Sequence, residues 1–171
     1  MDRLSQVYGR ALDGLMLLAC LLLLAMTLII GADVVTRNAG LGGIPWSGEV
    51  SEDILYLLTL LAAPWLLRQG QHIRVDILLR ALPARVGWLL EWAGDLLGLA
   101  CSLYFVWYGW VVLAASYRAG AISIKTLVTP EWWMLAPLPA AFLLLAIEFV
   151  FRMHRLRRAE RGPRADAVSA S

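Results

Sequence analysis

Between Asp13 and Asp33 the chain runs for nineteen residues, Gly14 to Ala32, without a charge. A helix needs about twenty apolar residues to cross the hydrocarbon core of a bilayer, and this run meets that requirement. A secretory signal peptide is the rival reading, because Arg3 and Arg10 precede the run. Such a peptide carries only about 7–15 apolar residues, and no small-x-small cleavage pattern follows here, so the run reads as a retained first helix. Composition agrees: 60% of the residues are hydrophobic and 16% charged, against roughly half and a quarter in soluble domains.

Three more apolar runs follow. Ile54–Leu67 is short by itself, but Ser47 is a candidate N-cap, and Glu49, Glu52 and Asp53 complement the positive end of a helix dipole. Leu96–Tyr117 holds twenty-two uncharged residues and extends back to about Trp88. The last run begins near Pro130, with Pro137 and Pro139 predicting a kink in its first half. The expected architecture is an all-α integral membrane protein with four transmembrane helices, about 12–34, 47–67, 88–116 and 130–152, forming a domain over 1–155. Residues 73–82 read as a short interfacial element between helices 2 and 3, and 156–171 as a basic, disordered tail.

Twelve of the fifteen Lys and Arg residues fall before helix 1, in the loop after helix 2 and in the tail. The opposite side holds only Arg37, Arg118 and Lys125. The positive-inside rule therefore predicts that both termini are cytoplasmic. Trp65, Trp88 and Trp92 fall at the inner ends, and Trp46, Trp132 and Trp133 at the outer ends, as an aromatic belt requires. Trp107 and Trp110 lie deeper, and read as packing against a helix or lipid rather than as a cofactor box.

Ionisable groups within membrane helices are the first functional candidates. Glu91 and Asp95 share a face of helix 3, either as a proton or cation site or as an inner pair meeting Arg80 or Arg85. Asp95 is the deeper of the two. Glu148 and Arg152, four apart, are explained by an intrahelical salt bridge. Gly94-x-x-x-Gly98 permits a close helix approach, within the chain or with a partner. His72 and His154 lie outside the apolar spans, which leaves no axial haem ligands, and Cys20 and Cys101 cannot form a redox pair. No Ser/His/Asp set or HExxH is present, so no catalytic role and no cofactor are expected.

Arg37, then Pro45-Trp46-Ser47-Gly48-Glu49, then Gly70-Gln71-His72-Ile73-Arg74-Val75-Asp76 form an ordered set of motifs. On these, and on the proline-rich start of helix 4, the sequence resembles the small, DctQ-type membrane subunit of tripartite ATP-independent periplasmic (TRAP) transporters. The similarity covers about residues 8–155. It departs in having Gly48-Glu49 where the family often has two acids, and Ala62-Ala63 where it often has a glycine. The resemblance implies a non-catalytic subunit of the bacterial inner membrane that braces a large multi-helix permease subunit and helps dock a periplasmic substrate-binding protein. Uptake of an organic acid, a C4-dicarboxylate or related carboxylate, would then be driven by a sodium gradient. It also implies that Trp46 and Glu49 sit at the outer end of helix 2, that Arg37 pairs with Glu49, Glu52 or Asp53, and that His72 and Asp76 order the inner loop. Ordinary roles compete: headgroup anchoring for Trp46, dipole complementation for Glu49, solvated loop positions for His72 and Asp76. The alternative function is an autonomous, proton-coupled exporter acting as a homodimer, with Asp95 as its carboxylate.

Overall fold

A computed structural model describes residues 2–69 and 84–158. His72, Asp76, the expected interfacial element and the tail beyond Arg158 lie outside the described residues. The chain forms α1 (Asp2–Asn38), α2 (Ser47–Arg68), α3 (Ala84–Ala119), a hairpin of β1 (Ile122–Ile124) and β2 (Val128–Pro130), then α4 (Glu131–Leu135) and α5 (Pro137–Arg158). Among the described residues, four helical stretches are long and apolar enough to cross a membrane, α4 and α5 counting as one. At 1.5 Å per residue, α1 is about 55 Å long and exceeds the bilayer core of roughly 30 Å. Its apolar run is only the middle of a longer rod.

The ends of these helices follow from local chemistry. Gly40, at φ 75°, closes α1: its N–H donates to the Arg37 carbonyl at 3.2 Å, and that of Leu41 to Thr36 at 3.0 Å. Gly120, at φ 60°, repeats the device at the end of α3, with Ala121 donating to the Ser116 carbonyl at 3.2 Å. Both are left-handed C-caps, which a residue with a Cβ adopts only under strain. Ser47, expected as the N-cap of α2, is instead its first helical residue. Trp46 holds the cap position, and no side chain caps the helix there. The break expected in the fourth helix falls at Ala136, between α4 and α5. Pro137 and Pro139 lack the N–H groups that the Trp133 and Leu135 carbonyls would otherwise accept.

The helices stand in a row rather than a closed bundle: α1 packs on α2, α2 on α5, and α5 on α3. The outer members are accordingly bare. Only 6% of the most apolar stretch of α1, and the same share in α3, is buried within the chain, against 17% in α2 and 22% across α4 and α5. Leu17, Leu21, Leu24 and Leu28 line one exposed face of α1, and Tyr104, Trp107 and Trp110 are exposed on α3.

Close approach of α3 and α5 depends on glycine. A Cβ on Gly98 would lie 2.3 Å from Phe149 Cζ, and one on Gly109 would lie 2.9 Å from Leu138 Cδ2. Between them Phe105 stacks on Phe142, with centroids 4.6 Å apart. Positions 98, 105 and 109 recur at helical spacing on one face of α3. Gly94, by contrast, has open space where its Cβ would be. The Gly94-x-x-x-Gly98 motif is therefore split, and the working seam runs from Gly98 to Gly109.

The hairpin between α3 and α4 was not foreseen. Its strands pair antiparallel, Ile122 with Pro130, Ser123 with Thr129 and Ile124 with Val128, around a three-residue loop at 125–127.

Candidate functional site

The polar groups of the helices collect at two levels. One is the end that carries the starts of α1 and α3 and the ends of α2 and α5. There Glu148 is fully buried. One of its oxygens accepts from Arg68 Nη1 at 3.3 Å and the other from Arg155. Arg68 also donates to the Ser5 carbonyl at 2.9 Å and lies over the Tyr8 ring. The Tyr8 hydroxyl donates to the Leu144 carbonyl at 2.7 Å. One turn along α5, Arg152 donates through Nε to Asp95 Oδ1 at 3.2 Å and through Nη1 to the Leu67 carbonyl at 2.9 Å. Ion pairs removed from water persist only when their remaining hydrogen-bonding capacity is met. Here α1, α2, α3 and α5 each contribute to meeting it.

This arrangement extends beyond the intrahelical Glu148–Arg152 bridge expected from spacing. Glu148 turns to α2 and to Arg155, and Arg152 turns to α3 and the end of α2, because α5 lies inside the row with a neighbour on each side. Asp95 is 4% exposed and ion-paired.

The second level is at the opposite end. Asp33 on α1 accepts from the Ile44 N–H at 2.5 Å and from Arg37 at 2.9 Å. One carboxylate thus closes the α1–α2 loop. Arg37 pairs with Asp33 one turn earlier in its own helix, not with Glu49, Glu52 or Asp53 as expected. Glu49 reaches instead to the hairpin, where its two oxygens accept from the Thr126 N–H at 2.7 Å and the Leu127 N–H at 3.1 Å. Glu52 pairs with Lys125 at 3.3 Å, and that hydrogen bond, with the charge of Glu52 behind it, holds the lysine pKa above its ordinary value. Glu131 anchors the far side, accepting from the Ser116 hydroxyl at 2.9 Å. Trp46 sits at the head of α2, part-exposed.

Of the residues singled out from sequence, Glu49 and Asp95 hold tertiary contacts, Arg37 a local one, and Gly98 a close approach. Gly94 and Trp46 face outward. Sequence reasoning missed Glu148 and Arg68 as the centre of a network, and Tyr8 and Ser5 as part of it. Among the described residues, no group of three or more His, Cys, Asp or Glu side chains could hold a metal ion.

The family model described as "Tripartite ATP-independent periplasmic transporters, DctQ component" matches residues 26–159. The chain belongs to the DctQ family. It is thereby the small membrane component of a TRAP transporter, a multi-pass membrane protein. The DctQ match takes in the whole hairpin end and the three ion pairs of α5, and leaves Ser5, Tyr8 and Asp13 before its start. No curated protein matches the chain.

Proposed function

We propose that this chain is a non-catalytic scaffold, bracing the large permease subunit of a TRAP transporter during sodium-coupled uptake of an organic acid. The observation that carries this reading is the open row of helices. The outer helices α1 and α3 bury almost none of their apolar stretches within the chain, while the buried charges of α3 and α5 find partners within the chain, on α2, α3 and α5. A protein built this way offers long rigid faces to a neighbour and keeps its ionisable groups for its own cohesion. With both termini cytoplasmic, as twelve of fifteen basic residues favour, the Asp33–Glu49–hairpin end would face the periplasm. There Trp46 and Glu49 would help present a surface to the substrate-binding protein.

Recovery of the tagged chain from its native membrane in mild detergent tests the reading. A stoichiometric polytopic partner is expected, and no transport by the isolated chain. A homodimer without a partner, or carboxylate uptake by the isolated chain, would overturn it. The autonomous-exporter alternative needs a carboxylate that exchanges its ligands, whereas Asp95 is held by Arg152.

A further inference from the structure

Beside the α3–α5 seam, at the end carrying the starts of α1 and α3, lies an open groove of about 370 Å³. Trp92, Leu96, Val150, Met153, His154 and Arg157 line it. Two polar atoms of these residues are shut off from solvent and have no hydrogen-bond partner among the described residues: Trp92 Nε1 and His154 Nε2. Trp88, one turn before Trp92, shows the usual solution, its Nε1 donating to the Leu156 carbonyl at 3.5 Å. Buried polar atoms left unmade are uncommon and costly, so a pair on one groove points to a ligand. Arg157 lies over the Trp92 ring, 5.4 Å from its centroid. The acids of α3 and α5 are engaged elsewhere, Glu148 with Arg68 and Arg155, Asp95 with Arg152, and Glu91 in an interaction of its own.

A guanidinium, an indole N–H and an imidazole N–H (in the tautomer protonated at Nε2) together select an anion with several acceptor oxygens. Leu96, Val150 and Met153 select an apolar chain attached to it. The groove sits near the helix ends, where Trp and Arg meet the headgroup layer of a bilayer. We propose that it seats an anionic phospholipid, its phosphodiester on Arg157 and, once their rings rotate toward the groove, on the His154 and Trp92 N–H groups, with the start of an acyl chain on the three apolar residues. Basic pockets between transmembrane helices recognise lipid headgroups by this chemistry. The inference rests on the helices spanning a membrane and not on any partner subunit.

Native mass spectrometry of the full chain, titrated separately with phosphatidylglycerol and phosphatidylcholine, tests the proposal. Phosphatidylglycerol is expected to be retained as a one-to-one adduct well beyond phosphatidylcholine. Arg157→Gln should weaken that retention about fivefold, the effect of one arginine at a lipid headgroup. Trp92→Phe, which keeps a ring and removes the N–H, should also weaken it, and decides the matter should Arg157→Gln fail to fold. Arg118→Gln, at the other end of α3, should leave it unchanged. Equal retention of the two lipids, or retention indifferent to Arg157→Gln and Trp92→Phe, would overturn the proposal. So would a photo-crosslinker at Met153 that captures only a polytopic protein, or only residues 159–171 of this chain, in native membranes.

Discussion

Glu49 holds Thr126 across 77 residues of chain: the carboxylate on the first turn of α2 accepts the backbone N–H of the hairpin loop at 2.7 Å. Its second oxygen takes the next N–H, of Leu127. The acid that the dipole of α2 favours at this position is thus also the clamp that fixes the loop between α3 and α4. Glu49→Ala is expected to release both amides and to leave the helices intact. Hydrogen exchange at Thr126 and Leu127 should quicken while the amides of α2 beyond its first turn keep their protection. Unchanged exchange at both would show that the strand pairing alone holds the loop.

Removing Arg152 takes a donor from two acceptors, Asp95 and the Leu67 carbonyl. Arg152→Met should cost about 3–5 kcal/mol, the usual effect of breaking one side of a buried pair. The double variant Asp95→Leu/Arg152→Met should recover a large part of that loss. Unfolding in detergent, followed by circular dichroism, measures both. A double variant no better than Arg152→Met would locate the loss in the Leu67 carbonyl instead.

The two glycines of the Gly94-x-x-x-Gly98 motif should behave oppositely. Gly98→Ala drives a methyl into the Phe149 ring, and overpacking of this kind costs about 1–3 kcal/mol. Gly94→Ala meets open space, and should be neutral or stabilising by up to about 1 kcal/mol through helix propensity. Thermal unfolding of the pair in one detergent gives the comparison.

Lys125 has a raised pKa because Glu52 stabilises its charged form. A raised folded-state value means that its contribution is full below the ordinary lysine pKa and is lost as pH rises through the raised value. The Tm difference between the parent and Lys125→Met should therefore be present at neutral pH and close in strongly alkaline buffer. Because the pair is exposed, the difference should be small and should also shrink with added salt.

The apolar runs made the spanning helices legible, since hydrocarbon leaves the backbone little choice but a helix. Pro137 and Pro139 marked the break at Ala136 for an equally local reason. What escaped was whatever depends on which helix lies beside which. Spacing alone offered Glu148 and Arg152 to each other, and only the position of α5 between α2 and α3 gives each a partner on a neighbouring helix. Gly109 gave no signal, because a glycine eleven positions after Gly98 matches no short motif, although three helical turns bring both to one face. The hairpin was hidden because its three-residue strands sit in a connection and are secured by an acid from α2. Arg68 read only as a topological charge at the end of a run. Its role requires Glu148, which arrives eighty residues later.

That separation orders the making of the protein. Arg68 enters with the second helix, while the carboxylate that neutralises it belongs to the last one synthesised. Until α5 joins, Arg68 lacks the buried carboxylate that receives it in the finished fold. An unfinished or truncated chain therefore keeps at Arg68 a charge that the completed fold neutralises.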